Sequence, residues 1–194
     1  MLSTSDIARG TRGAVRFLQR DPGAPYYFDN TLEACLASFR VMALAAPLYG
    51  LYLLLYYSSV DTTADAFEIM AVEALHFVVD WLLFPVLFYE IARRRRWLAN
   101  YPRYIAALNW INLPVMALAV IALGVAMVTP RAVGQLVGMA TQFLFYYWFV
   151  MATRLSLGVS WPQSILLLIV NWMPSLLLSL IVDRVLGVVP LPGT

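Results

Sequence analysis

The chain contains no lysine; all 13 of its basic residues are arginine. It has one cysteine, Cys35, and one histidine, His76. A single thiol excludes an intrachain disulfide, and no zinc-type Cys/His spacing exists. Charged residues make up only 12% of the 194, about half of what a soluble domain carries. The net charge of +2 is too small to point to a nucleic-acid partner. There is no Gly-rich phosphate loop, no Gly-x-Ser-x-Gly and no HExxH. With one histidine and short loops, little remains for nucleophilic or lipid-directed catalysis, so no enzyme and no cofactor is expected. Residues 1–20 lack an apolar core and hold four arginines, so no cleavable signal peptide is expected. The first apolar stretch then acts as an uncleaved anchor.

What the chain does have is apolar sequence. Hydrophobic residues make up 62%, and they gather in five runs near residues 37–58, 69–91, 104–128, 132–152 and 164–183. Each reaches the ~17–20 residues that cross about 30 Å of hydrocarbon. Each must be helical, because lipid offers the backbone no hydrogen-bond partner. The expected fold class is all-α: a polytopic membrane bundle of five transmembrane helices, plus an N-terminal interfacial amphipathic helix. No strand pattern competes. The chain divides into a cytoplasmic segment and linker (1–30), the five-helix domain (31–184) and a short tail (185–194). Asn30 with Glu33 has capping-box spacing, and predicts a helix from near Thr31 running straight into the first span.

The arginines set a direction. Arg9, Arg12, Arg16, Arg20, Arg40, Arg93, Arg94, Arg95, Arg96, Arg103 and Arg154 fall on one side of such a bundle; Arg131 and Arg184 fall on the other. Positive residues mark the cytoplasmic side. This places the N-terminus inside, the C-terminus in the periplasm, and the protein in a bacterial inner membrane. In residues 5–20, Arg9, Arg12, Arg16 and Arg20 line one helical face, with Ile7, Ala14, Val15 and Leu18 largely on another. Such a helix suits the membrane surface, although Gly10 and Gly13 disfavour helix formation. Arg93 to Arg96, with Trp97 and Tyr101, read as an anchor at the same interface.

Glu73, His76 and Asp80 interrupt the second run. An ionisable group in a span costs roughly 2.5–3.5 kcal/mol on insertion scales and persists where it faces protein, water or a partner. Spacings of three and four put all three on one helical face, about 10 Å long. Asn109, Asn112, Gln142 and Asn171 lie in other runs and offer a continuation, and an Asp80–Arg40 ion pair is conceivable at long reach. Two readings stay open: a polar seam that holds a bundle or assembly together, and a proton or ion path. Glu73-x-x-His76 has the spacing of a di-iron helix motif, but it occurs once, so no metal is assigned.

Three further patterns stand out. Asp80-Trp81, Asn109-Trp110 and Asn171-Trp172 each precede a proline, Pro85, Pro114 and Pro174, which with Pro47 predict kinked helices with polar groups beside the kinks. Gly134-x-x-x-Gly138 is a small-residue spacing that lets helices approach. Tyr146 to Phe149 form an aromatic block.

Asp21-Pro22-Gly23 with Phe28-Asp29, then Ser38-Phe39, Ala46-Pro47, Tyr104-Ile105 and Asn109-Trp110, together with the five-run layout, resemble the bacterial Yip1-like inner-membrane proteins over roughly residues 15–184. The chain departs from the eukaryotic Yip1 family in lacking its Asp-Leu-Tyr-Gly-Pro motif and long cytosolic arm. The resemblance implies a non-enzymatic integral membrane protein that acts through the lipid bilayer, other membrane proteins or its own copies.

Overall fold

The computed structural model describes residues 3–190. Its helices are α1 (Thr4–Leu18), α2 (Leu32–Ser38), α3 (Val41–Tyr57), α4 (Ala66–Arg95), α5 (Tyr101–Val128), α6 (Arg131–Leu157) and α7 (Trp161–Val185). Five helical units are long and apolar enough to cross a membrane: α2 with α3, then α4, the α5 unit, α6 and α7. They have 25 to 31 residues, which at ~1.5 Å per residue exceeds the hydrocarbon thickness. The chain thus has the make-up of a multi-pass membrane protein, and the helices overrun the expected apolar cores by several residues at most ends.

Local chemistry sets the helix ends. Ser3 and Asp6 form a capping box on α1, and Ser160 with Gln163 does the same for α7. The Asp65 side chain accepts from the Glu68 N–H at the start of α4. Helix α6 stops at Gly158, whose φ of 65° suits a residue without Cβ. Helices α3, α4, α5 and α7 each continue through their internal proline.

The structure corrects two expectations at the first span. Thr31, not Asn30, caps α2: its hydroxyl accepts from the Ala34 N–H. Asn30 is used across the fold, donating to the Ala99 carbonyl and accepting from the Arg103 N–H. The helix also does not run straight on. At Phe39 and Arg40 the amides bond three residues back, to Leu36 and Ala37, and the helix is interrupted before α3.

Helix α5 is the axis of one end of the molecule. Tyr104 to Ile111 are all buried, because α1, α2, α3 and α6 surround that half of the helix. Helix α4 packs chiefly on α7, and meets the α5–α6 pair through rings: Phe88 lies 4.9 Å from Tyr104 and Phe84 lies 5.4 Å from Phe149, both edge-on.

Helix α1 forms despite its glycines, and they are its docking face. Gly10, Gly13, Ala14 and Phe17 are its buried residues, and Val15 is exposed. A Cβ at Gly10 would overlap the Trp110 indole; one at Gly13 would lie 2.6 Å from Tyr27. Trp148 donates its indole N–H to the Ala14 carbonyl. Part of the aromatic block in α6 is therefore the seat of the N-terminal helix. At the opposite end a two-residue antiparallel pairing, which the sequence did not foretell, joins β1 (Val60–Asp61) to β2 (Val189–Pro190). It ties the tail to the first loop, and the Thr62 hydroxyl adds a bond to the Leu186 carbonyl.

Candidate functional site

Helical spacing on α4 brings Glu73, His76 and Asp80 to one side, as expected. Glu73 is buried. Its carboxylate accepts from the Tyr57 hydroxyl at 2.7 Å and the Tyr49 hydroxyl at 2.5 Å. His76 Nδ1 lies 3.0 Å from the same carboxylate and 3.3 Å from the Tyr49 hydroxyl. The Glu73 carboxyl, the two tyrosine hydroxyls and the His76 imidazole thus form one hydrogen-bonded cluster. The tyrosines come from α3. Their signal was present in the sequence: Tyr49 and Tyr57 are eight residues apart, about two helical turns, and so fall toward one side of a helix. It was masked by the apolar context.

Beside this cluster lies a cavity of about 270 Å³ with a wall from every one of the five spans. Tyr49 enters from α3, His76 and Asp80 from α4, Asn109 and Asn112 from α5, Phe149 from α6, and Asn171 from α7. Asp80 has a buried carboxylate oxygen, Oδ1, with no hydrogen-bond partner among the described residues. No ion pair with Arg40 forms among the described residues. Arg40 is exposed and borders a separate pocket of about 120 Å³ under α1 instead. The break at Phe39–Arg40 keeps its side chain at the end of the bundle.

Asn109 closes one part of the cavity. It accepts from the Trp81 indole N–H at 2.9 Å and donates to the Ser38 hydroxyl at 2.8 Å; Ser38 in turn donates to the Cys35 carbonyl. Asn109 is thus both part of the cavity wall and a bridge between α4 and α2. Among the described residues Asn112 and Asn171 have no side-chain hydrogen bond to protein. Gln142 does not join the column; it is exposed on α6, away from the cavity wall. No group of three or more His, Cys, Asp and Glu among the described residues is placed to hold a metal ion.

The Gly134/Gly138 pair is split. Gly134 is buried against Ala126 of α5, where an added Cβ would come within 2.9 Å of backbone, whereas Gly138 faces open space. The arginines gather at the α1 end, and several are engaged. Arg9 pairs with Asp29 at 3.3 Å, Arg16 with Asp21 at 3.1 Å, and Arg93 and Arg94 share Glu90. Arg20 donates to the Tyr147 hydroxyl. Arg12, Arg95 and Arg96 are exposed.

No family model, curated protein or solved structure matches the chain.

Proposed function

We propose that this chain is a non-enzymatic, five-span protein of a bacterial inner membrane that holds a small solute in the cavity between its spans and passes protons or ions along it. The observation that carries the reading is the cavity itself: all five spans contribute to it, and it contains a carboxylate with an unpartnered buried oxygen. Ionisable groups held inside a membrane bundle around a cavity mark proton and ion routes. In this reading Asp80 is the central titrating group. Glu73 and His76, fixed by Tyr49 and Tyr57, form the approach from the β1 end.

The arginine-rich end faces the cytoplasm, and the exposed arginines of α1 and α4 meet lipid headgroups there. Helix α1 lies along that surface, and the prolines bend the spans around the cavity. The bacterial setting rests on the Yip1-like resemblance. The test is proton flux into proteoliposomes with an entrapped pH dye. Asp80→Asn should lower flux about tenfold or more, in line with general acid–base contributions of 10²–10⁴. Unchanged flux removes Asp80 from the path.

A second reading, an accessory subunit or homo-oligomer, is favoured by Gly138. It is exposed on α6 with nothing packed against it, a place where a helix of another chain fits closely. Native mass measurement in mild detergent tests this; recovery of the chain alone as a monomer counts against it.

A further inference from the structure

The cavity wall is chemically one-sided. No arginine lines it, and its one basic side chain, His76, is already held by Glu73. The uncommitted charge is Asp80, on the same helix as three ring-bearing neighbours in the wall, Phe77, Trp81 and Phe84. The rings form a lattice: Tyr49 stacks on Phe77 at 4.8 Å, Phe77 meets Trp81 edge-on at 5.4 Å, and Phe84 meets Phe149 at 5.4 Å. Trp172 of α7 completes the wall.

We infer that the ligand of this cavity is a small organic ammonium ion, with its charge at Asp80 and its carbon body among the rings. The inference rests on reading the cavity as a solute site and names the class of solute. An anion is repelled by Asp80 and finds no arginine. A neutral apolar molecule leaves the Asp80 carboxylate in the wall without a counter-charge. Calcium and magnesium want six or more oxygen ligands and zinc wants three or four His, Cys or carboxylate ligands, whereas the wall offers one free carboxylate and scattered amides, and no such group stands among the described residues. An ammonium satisfies both halves of the wall. Its N–H groups reach the carboxylate in a charge-assisted hydrogen bond, and aromatic faces attract cations through their quadrupoles. The amides of Asn112 and Asn171, both in the wall and without a side-chain hydrogen bond among the described residues, supply further acceptors. Size agrees: an apolar cavity of about 150 Å³ admits benzene, so about 270 Å³ has room for a ring with a short amine arm.

The test is calorimetric titration of the full chain in lipid nanodiscs with three probes of one shape: phenethylammonium, its neutral isostere propylbenzene, and the anion hydrocinnamate. Phenethylammonium should bind about tenfold to a hundredfold tighter than propylbenzene, the range for a hydrogen bond to a charged group, with hydrocinnamate weakest. Asp80→Asn should abolish that preference. Phe77→Leu keeps an apolar wall and removes a ring; it should weaken the ammonium about threefold and leave propylbenzene unchanged. Equal binding of ammonium and isostere by monodisperse wild-type protein, preference for the anion, or no ammonium binding overturns the inference. These results need no variant, so a misfolded mutant does not blunt the test. Flux is a separate readout. Loss of flux in Asp80→Asn without ammonium preference sinks the ligand class and spares the path; ammonium preference with unchanged flux does the reverse.

Discussion

Along α5 the two halves of the molecule differ. From Tyr104 to Ile111 every residue is buried, whereas from Asn112 to Val128 only Ala122 is. Helix α6 shows the same split: Trp148 to Thr153 are all buried, and of Arg131 to Tyr147 only Gly134 is. Within a bilayer there is little hydrophobic drive to bring apolar helices together. The dense half gains its burial from α1, α2 and the turn between them, which wrap the end of the bundle and bring Gly10 against the Trp110 indole. The sparse half is joined by hydroxyl–carboxylate bonds, and the cavity opens where the two halves meet, walled by Asn109 and Phe149 from the one and by Asn112 and Val115 from the other.

The largest test of this contrast is Gly10→Val. Its side chain meets the Trp110 ring, and overpacking of this kind costs about 1–3 kcal/mol, occasionally more. Helix α1 should undock and trypsin should cut at Arg9, Arg12 and Arg16 much faster. Gly138→Val, in open space at the sparse end, should leave digestion and melting unchanged.

Next comes a pair of asparagines three residues apart on α5. Asn109→Leu strips the Trp81 indole of its acceptor and should lower stability by about 1–3 kcal/mol, the cost of an unsatisfied buried group. Asn112→Leu, with no protein partner to lose, should shift the denaturation midpoint by less than about 0.5 kcal/mol. Equal effects would erase the boundary between the halves.

Tyr57→Phe removes one of the bonds to Glu73 and should cost about 0.5–1.5 kcal/mol, read by thermal unfolding in detergent. Tyr52→Phe, on the same helix but without a hydrogen bond among the described residues, is its control and should be near neutral.

The smallest effect is at the α1 cap. Hydrogen bonds from the Ser3 hydroxyl and backbone N–H hold the Asp6 carboxyl below the usual carboxylate range. Its folded-state pKa is thus depressed, so its contribution is present above the unfolded pKa of about 3.9 and is lost as pH falls through the lower folded value. Protection factors of the amides in the first turn of α1, taken against the intrinsic exchange rate at each pH, should fall below about pH 4 in wild type and be less pH-dependent in Asp6→Asn.

The five spans and the Glu73–His76–Asp80 face were legible because length and period are local properties of a sequence. So was the gathering of Asn109, Asn112 and Asn171, since polar groups in a bundle turn inward. Gln142 failed that rule because its position on α6 lies in the sparse half, where the helix surface is open. Tyr49 and Tyr57 escaped notice because a tyrosine in an apolar run looks like packing until a carboxylate is placed opposite it. Gly10 and Gly13 argued against a helix on propensity alone. Their value lies in the side chains they leave room for, Trp110 and Tyr27, which are distant in sequence or separated from them by a turn. Asn30 was drawn into a local cap by its spacing, whereas its partners lie far along the chain, Ala99 in the turn before α5 and Arg103 in the first turn of α5.

The β1–β2 pairing has a consequence for assembly. Val60 and Asp61 leave the ribosome early, and Val189 and Pro190 are the last described residues to be made. The edge that β1 presents, and the Thr62 hydroxyl beside it, therefore wait through the insertion of four further spans before their partners arrive. A chain interrupted before α7 keeps that edge open, so the pairing forms only once the fifth span is in place.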